Sequence, residues 1–241
     1  MLKPASQLKP LTSWSYSRYS SYQQCPLKFR LQYLDKLLEP KSAAMERGTT
    51  IHGLAENYLK GVGRTVPGEL VYAADELKRL RAKRKKDPQS VIVEDTWAFK
   101  KDWSGTLWND WTGCYLRVKI DVAELTGTEV TITDVKTGKH RPDNKKDYLE
   151  QLHLYGTATL AVFSHVPELT VKARLVYVDA ATTFPAPGEE EVYTQKDLPA
   201  LKKDWEKRVK PMFADKRFAP RPNQWCKWCH YRKDNGGPCS Y

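Results

Sequence analysis

The stretch from Tyr115 to Lys139 constrains the fold of this chain more than any other. Its residues predict two strands joined by a short polar turn. In the first strand, apolar residues alternate with charged ones up to Asp121, the period of two that is typical of a half-buried strand. The second strand, residues 129–136, begins with the same alternation but places Asp134 and Lys136 at the end of its apolar face. Neither charged group tolerates burial without a partner, so this strand end predicts an ion pair or a reactive site.

Two carboxylates and an ammonium near one point predict a particular chemistry. The carboxylate oxygens of Asp121 and Asp134 are hard ligands suited to Mg²⁺ or Mn²⁺. Such an ion binds substrate phosphates and lowers the pKa of a bound water. Lys136 would then lie beside that water or the scissile phosphate, where negative charge accumulates during phosphodiester cleavage. The alternative is a purely structural ion pair at a strand end.

A predicted helix over residues 43–60 carries a further candidate ligand. His52 lies on one stripe of this helix with Gly48 and Glu56, each four positions away. A single helix histidine is usually structural or solvated. Beside two carboxylates, its imidazole would favour Mn²⁺ over Mg²⁺ more than an all-oxygen site would.

Another predicted helix follows the acidic strands and begins near Asp147. Gln151 and Tyr155 lie four positions apart on one face of it. Such residues on an apolar helix are often hydrogen-bonded core groups.

The composition favours a partner that carries negative charge. Lysine and arginine outnumber aspartate and glutamate by 40 to 29, a formal net charge of +11, which fits nucleic acid or an acidic surface. With 241 residues we expect one domain over residues 1–241. No apolar run reaches the length of a membrane span, and the N-terminal stretch lacks the apolar core of a signal peptide. We therefore expect a cytoplasmic protein with no membrane partner.

Cysteines cluster near the C-terminal end. Cys226 and Cys229 form a C-x₂-C pair, which places two thiolates on one turn as metal and cluster sites require. Cys239 adds a third thiol. The fourth ligand is either His230 nearby or Cys25 from the other end of the chain.

An aromatic-rich helical segment is predicted over residues 14–36. Ser17 is the candidate N-cap. Pro26, which follows Cys25, is expected to kink the helix or to separate two short ones. Cys25 is either a buried packing thiol or a cluster ligand.

Taken in order, these motifs resemble the PD-(D/E)XK nuclease superfamily, in its RecB-like or CRISPR-adaptation-type iron–sulfur exonuclease branch. Each motif is weak alone, but the ordered set spans nearly the whole chain. Two departures exist: Ile120 rather than proline precedes Asp121, and the gap from Cys229 to Cys239 is longer than expected. The set comprises Ser-x-Ser before Cys25-Pro26, Gly48…His52, Asp121, Asp134-Val135-Lys136, Gln151…Tyr155 and the three C-terminal cysteines.

The resemblance implies a restriction-endonuclease-like α/β fold in a single nuclease domain. A mixed central sheet would be flanked by helices, and residues 14–36 and 218–241 would form a cysteine-ligated cluster subregion joining the N- and C-termini. The implied cluster is [4Fe–4S], with Zn²⁺ as the alternative. Its implied ligands are Cys25, Cys226, Cys229 and Cys239.

The resemblance also implies roles for the site residues. The implied ligands of Mg²⁺ or Mn²⁺ are His52, Asp121, Asp134 and the Val135 carbonyl. Catalytic roles are implied for His52, Asp121, Asp134, Lys136, Gln151 and Tyr155.

Basic and aromatic residues supply candidate contacts with DNA. Seven of the nine residues 78–86 are basic on a stretch with high helix propensity, which is either a solvated face or a ridge that contacts phosphates. Four tryptophans between residues 97 and 111 are candidates for core packing or for stacking on unpaired bases. The candidate DNA-contacting residues are Lys78, Arg79, Arg81, Lys83, Arg84 and Lys139.

The implied activity is that of a divalent-metal-dependent DNA exonuclease. It would act at or near the ends of single-stranded or duplex DNA, in recombination, repair, or phage and mobile-element DNA processing. No phosphate loop of the type G-x-x-x-x-G-K-[ST] is present, so unwinding would come from a helicase, single-strand-binding or recombination protein. The expected location is the cytoplasm of a prokaryotic or phage-infected cell. A non-catalytic DNA-binding or adaptor protein with the same fold is the alternative.

Overall fold

A computed structural model describes residues 8–241 of the chain. The first seven residues, which belong to the stretch interpreted above as lacking a signal peptide, lie outside the described residues. The chain divides into two compact units. One comprises residues 41–202, and the other comprises the residues up to 40 together with residues 203–241.

Residues 41–202 are built around a mixed β-sheet. Its strand order is β2-β1-β3-β4-β5-β6, with β7 also paired to β5. Neighbouring strands are antiparallel except β4 and β5, which are parallel. The mixed central sheet predicted above is therefore confirmed, as are both strands of the acidic hairpin. The strands are β1 (Val91–Phe99), β2 (Gly105–Thr106), β3 (Leu116–Thr126), β4 (Glu129–Lys136), β5 (Thr170–Tyr177), β6 (Thr182–Phe184) and β7 (Tyr193–Thr194).

Helices account for most of the remaining regular structure. The helices predicted over residues 43–60 and after the acidic strands are both present, and the basic stretch also forms a helix. Short 3₁₀ turns precede several of these elements. The α-helices are α1 (Tyr16–Gln24), α2 (Pro26–Phe29), α3 (Ala43–Leu59), α4 (Ala74–Lys86), α5 (Lys145–Val162) and α6 (Leu198–Ala214). Among residues 8–241, no helix combines the length and apolarity needed to cross a bilayer.

The sheet is covered on both faces. On one face, α3 and α4 bury aliphatic side chains, Leu59 and Leu77 among them, against Val93 and Val122. Each such side chain contributes about 1.5–3 kcal/mol by its removal from water. Side chains alternate between the faces of a strand, so Asp134 points away from this core. The helix α5 contacts Asp134 and covers that second face.

The second unit contains an aromatic core. Trp14 stacks on Trp205 at a centroid distance of 5.4 Å, and Tyr19 meets the same ring edge-on at 5.4 Å. The predicted separation of two short helices at Pro26 is confirmed, because α1 ends at Gln24 and α2 begins at the proline, where its missing N–H is tolerated.

The N-cap prediction at Ser17 was wrong. Ser15 caps α1 instead, and its Oγ accepts from the Arg18 backbone N–H at 3.4 Å. The helix begins one residue before Ser17, so that hydroxyl already lies inside the first turn.

Candidate active site

The acidic hairpin opens into a fork at the two predicted carboxylates. The paired residues of β3 and β4 run from Thr126 and Glu129 to Val122 and Thr133, and the next pair in register would be Asp121 and Asp134. From there β3 pairs only with β1, and β4 pairs only with β5. The Oδ2 atom of Asp121 accepts from the Val135 backbone N–H at 2.8 Å. The fork therefore places two buried carboxylates between diverging strands.

Three side chains converge at this fork and could hold a divalent ion. His52 on α3, Glu94 on β1 and Asp121 on β3 each offer a ligand atom, and these atoms lie within 4.8 Å of one another. The Nδ1 atom of His52 lies 3.2 Å from an Asp121 oxygen and 3.6 Å from a Glu94 oxygen. One imidazole and two carboxylates suit Mn²⁺ or Mg²⁺.

Glu94 has an unusual backbone. Its φ angle is +52°, in the left-handed region that costs a non-glycine residue roughly 1–2 kcal/mol. The β1–β3 ladder is interrupted at the same point, because Glu94 and Asp121 face each other without pairing. Strained residues cluster at functional sites. The left-handed backbone conformation of Glu94 accompanies the approach of its carboxylate to His52 and Asp121.

A second group of side chains surrounds Asp134, which is 4% exposed. The Lys136 ammonium lies 2.7 Å from Oδ2 of this carboxylate. On the other side, the Tyr155 hydroxyl and the Gln151 amide donate to Oδ1, at 2.5 and 3.1 Å. Gln151 also donates to the Tyr155 hydroxyl at 2.8 Å. Two hydrogen bonds to Oδ1 and the ion pair at Oδ2 together hold this carboxylate beside the ammonium.

Burial and the close approach of several carboxylates shift the pKa values of the groups at the fork. The hydrogen bond with Asp121 raises the pKa of His52 above its ordinary value. Burial raises the pKa of Asp121, against the lowering effect of His52. Burial and the neighbouring Asp134 and Asp121 carboxylates raise the pKa of Tyr155 well above its usual range, so the phenol stays a neutral donor. A bound cation would offset this accumulation of negative charge.

The sequence of this chain matches the model of a known protein family. The model of the PD-(D/E)XK nuclease superfamily matches residues 13–233. This chain belongs to the PD-(D/E)XK nuclease superfamily. Members of the superfamily use divalent metals, and His52, Glu94 and Asp121 are a group of residues that could bind one.

Two crystal structures are similar to this superfamily member over most of its length. A protein provisionally named an exonuclease, from Eubacterium rectale, is 12% identical with a TM-score of 0.46, covering 92% of this chain and 88% of its own. The protein SSO0001 is 15% identical with a TM-score of 0.36, covering 94% of this chain and 87% of its own. No curated protein sequence matches significantly. The family assignment rests on the family-model match.

The predicted site residues of this nuclease-superfamily chain fall into the two groups described above. His52 and Asp121 lie in contact, whereas Asp134 lies with Lys136, Gln151 and Tyr155. The Val135 backbone N–H contacts Asp121. The metal-binding and catalytic roles of these residues stay predictions.

Sequence reasoning missed Glu94. This residue directly follows the apolar run Val91–Val93, so a carboxylate at the end of that run was the available signal. Nothing local in the sequence distinguishes it from its neighbour Asp95, whose oxygens accept instead from the Thr96 N–H and the Trp97 indole.

The basic residues predicted to contact DNA differ in their surroundings. Arg79 and Lys83 bind Glu124, and Arg81 binds the carbonyls of Gly61 and Gly63. These three side chains therefore already have intramolecular partners. Lys78 and Lys139 are exposed, and Arg84 is partly buried. Contact of any of the six with DNA stays a prediction.

The four cysteines predicted to hold a cluster line one cavity of about 180 Å³ in the unit that contains both ends of the chain. Backbone N–H groups donate to two of the sulfurs, from Arg221 to Cys25 at 3.4 Å and from Asn223 to Cys226 at 3.3 Å. Burial raises the pKa of the Cys229 thiol, and the other thiols add to this effect. Four thiols that line one cavity, two of them accepting N–H···S bonds, fit a metal cluster in their chemistry.

The long gap between Cys229 and Cys239 is closed by a tight loop. The Cys239 N–H donates to the Tyr231 carbonyl at 2.8 Å, and the Lys233 N–H donates to the Cys239 carbonyl at 2.7 Å. A Cβ at Gly237 would lie 2.2 Å from the Tyr231 backbone, so only glycine fits at this position. The fold-back brings Cys239 to the cavity that Cys229 lines.

Proposed function

We propose that this chain is a divalent-metal-dependent deoxyribonuclease that hydrolyses phosphodiesters at or near DNA ends. The observation that carries the proposal is the convergence of His52, Glu94 and Asp121 beside the ion pair of Asp134 and Lys136. A protein that only bound DNA would have no use for a partly buried metal-ligand set next to an ammonium.

His52, Glu94 and Asp121 would hold the ion. When bound, a divalent ion supplies Lewis acidity towards a phosphate oxygen and lowers the pKa of a water. Lys119 lies next to this group, with its ammonium 2.7 Å from a Glu94 oxygen. The hydrogen bond to Glu94 raises the pKa of Lys119, which therefore stays charged and offers a contact for the phosphate backbone.

Lys136 would stabilise the negative charge that develops on the scissile phosphate. Asp134 positions its ammonium, and Tyr155 and Gln151 position Asp134 in turn by donating to Oδ1. Because the phenol and the amide occupy Oδ1, the carboxylate presents Oδ2 to Lys136. This second carboxylate would thus orient the amine as well as add negative charge beside the ion.

Action at DNA ends and membership of the RecB-like iron–sulfur branch form the finer part of the proposal. Its support is the order of the motifs and the cavity lined by Cys25, Cys226, Cys229 and Cys239. These thiols would hold a [4Fe–4S] cluster, with Zn²⁺ as the alternative. The setting would be recombination, repair or phage DNA processing in a prokaryotic cytoplasm, with a helicase, single-strand-binding or recombination protein as partner.

The test is cleavage of labelled DNA with Mg²⁺ or Mn²⁺. Linear single strands, blunt duplexes and covalently closed single-stranded circles would be incubated with the purified protein. We expect linear DNA to be degraded and circles to resist, since a closed circle offers no end. Asp121→Asn and Lys136→Gln should each lower the rate about 100-fold or more, with thermal unfolding measured to verify folding.

Asp95→Asn is the matched control, because this carboxylate neighbours Glu94 but bonds to Thr96 and Trp97. It should retain activity within about threefold. Degradation that survives both Asp121→Asn and Lys136→Gln would overturn the assignment of the site. Tight DNA binding without cleavage in either metal would point instead to the adaptor role, and cleavage of circles would rule out a strict requirement for ends.

A further inference from the structure

Two exposed tryptophans lie on the loop between β2 and β3. Trp97 and Trp103 are buried, whereas Trp108 is 40% exposed and Trp111 is 77% exposed. When a large exposed ring stacks on another flat surface, apolar area is removed from water, which favours binding. Their exposure therefore raises the question of what they bind.

Arg117 connects the two rings. Its guanidinium lies 5.7 Å from the centroid of Trp108 and 5.2 Å from that of Trp111, within the range of cation–π attraction. Its Nε also donates to the Trp108 carbonyl at 3.0 Å. We call the three side chains, Trp108, Trp111 and Arg117, the aromatic platform.

The loop holds the aromatic platform in a defined shape. The Asp110 carboxylate accepts from the Thr106 hydroxyl at 2.7 Å and from the Gly113 N–H at 2.8 Å. These bonds lower the pKa of Asp110 to about 2, so the carboxylate stays charged and bonded at neutral pH. A Cβ at Gly113 would lie 2.4 Å from Oδ2 of Asp110, so a larger residue there would displace this carboxylate. A pre-ordered loop pays little conformational entropy on binding.

The aromatic platform lies on the same strand face as the candidate active site. Arg117, Lys119 and Asp121 are separated by two residues each on β3, so their side chains share one face. Four residues of strand span about 13 Å, the length of about four stacked nucleotides. Lys119, between them, already contacts Glu94 of the metal-ligand group.

The surroundings suit a polyanion. Lys100 and Lys101 are exposed on the turn after β1, whose last residue pairs with the first of β3. Aromatic rings between cations match the bases and phosphates of an unpaired strand.

We infer that the aromatic platform stacks on the unpaired bases of single-stranded DNA and leads that strand to the fork at Asp121. The inference rests on the proposed nuclease function for the identity of the polymer. It adds the form of the substrate, because paired bases in a blunt duplex are already stacked and present no free face. The protein would therefore favour single strands and ends with overhangs.

The test measures binding without cleavage. Fluorescence anisotropy in EDTA would compare a labelled thymidine oligonucleotide of about 15 nucleotides with an abasic oligonucleotide of equal length and charge. We expect Trp111→Ala to weaken binding of the thymidine strand about 5- to 150-fold, the range of one lost base–aromatic stack. Binding of the abasic strand should change less than about twofold, since phosphate contacts are untouched.

Leu107→Ala is the matched control, because Leu107 is 72% exposed on the same loop but has no ring. An equal loss of affinity in Leu107→Ala would overturn the inference and would favour a protein-docking patch. Equal losses of affinity for the thymidine and abasic strands would also overturn it. The result is separable from the nuclease assay. Ring-dependent binding without cleavage would support the aromatic platform and contradict the nuclease function. Cleavage together with wild-type DNA binding by Trp111→Ala would contradict the aromatic platform alone.

Discussion

Gly156 lies inside α5 against the ring of Tyr193. A Cβ at this position would lie 2.4 Å from Cδ2 of that ring. The ring has little freedom to move, because its hydroxyl donates to Glu191 at 2.8 Å and its strand pairs with β5. We therefore expect Gly156→Ala to lower the free energy of unfolding by about 1–3 kcal/mol through overpacking, as measured by urea denaturation.

Gly53 in α3 is the matched control for this substitution. A Cβ there meets nothing within 4 Å. Gly53→Ala should therefore raise the free energy of unfolding by about 0.5–1 kcal/mol, the ordinary gain in helix propensity. The same sign for both variants would contradict the packing argument.

Individual site residues differed in how well the sequence predicted their surroundings. Asp134 and Lys136 were recognisable because charged residues interrupted an apolar strand face, and the structure pairs them. Glu94 was not recognisable from the sequence, because its approach to Asp121 depends on strand register and on a left-handed backbone at a non-glycine residue. Neither property follows from local composition.

At the scale of elements, α4 is fastened to β3 through Glu124. Arg79 donates to both Glu124 oxygens, at 2.6 and 2.5 Å, and Lys83 approaches at 2.9 Å. Arg79 also bonds to Glu76 at 2.8 Å. The basic face of this helix therefore has a structural function, whatever it contributes to DNA binding.

This contact predicts a pH-dependent stability. The hydrogen bond from Arg79 lowers the pKa of Glu124 to about 2, well below its ordinary value of 4.5. A depressed folded-state pKa contributes stability that is present above pH 4.5 and lost as the pH falls towards 2. Glu124→Gln should cost about 1.5–3 kcal/mol at pH 7, and this difference from wild type should shrink below pH 4.5 in urea denaturation.

Glu129→Gln provides a control on the neighbouring strand. Its pair with Lys172 spans 2.7 Å, but the Glu129 side chain is 40% exposed, against 12% for Glu124. Exposed ion pairs contribute little, so the expected change is under about 1 kcal/mol. A Glu124→Gln difference that persisted unchanged at pH 3 would refute the role given to the charge.

The sequence predicted the strands themselves better than the pairing between them. Alternation of apolar and charged residues predicted β3, β4 and the turn between them, since that pattern is local. The parallel pairing of β4 with β5 and the parting of β3 from β4 are properties of the sheet. They arise from long-range packing, which a local pattern does not encode.

At the scale of the whole molecule, one compact unit combines the two ends of the chain. The Tyr22 hydroxyl donates to Asp215 at 2.9 Å, although the two residues are 193 positions apart. Trp14 and Trp205 stack in the same unit. The sequence predicted this association only through its count of thiols, because aromatic contacts between distant segments leave no local signal.

The last prediction concerns the cysteine cavity of this unit. Two sulfurs accept backbone N–H groups, and Cys25 comes from the other end of the chain than Cys226, Cys229 and Cys239. A metal held by all four would therefore stabilise the unit as well as fill the cavity, since ligands from distant segments couple binding to folding. Cys226→Ser should abolish bound iron and visible absorption, and lower the unfolding temperature by about 5–10 °C.

Cys114→Ala is the matched control, because this fifth cysteine is 2% exposed and lies outside the cavity. It should keep its iron even if packing losses lower its unfolding temperature, so metal content separates the two effects. Elemental analysis distinguishes the alternatives: bound zinc without visible absorption would replace the iron–sulfur cluster, and metal-free protein of unchanged stability would refute both. Because DNA cleavage depends on a different set of ligands, either result leaves the roles of His52, Glu94 and Asp121 to be judged by the cleavage assay alone.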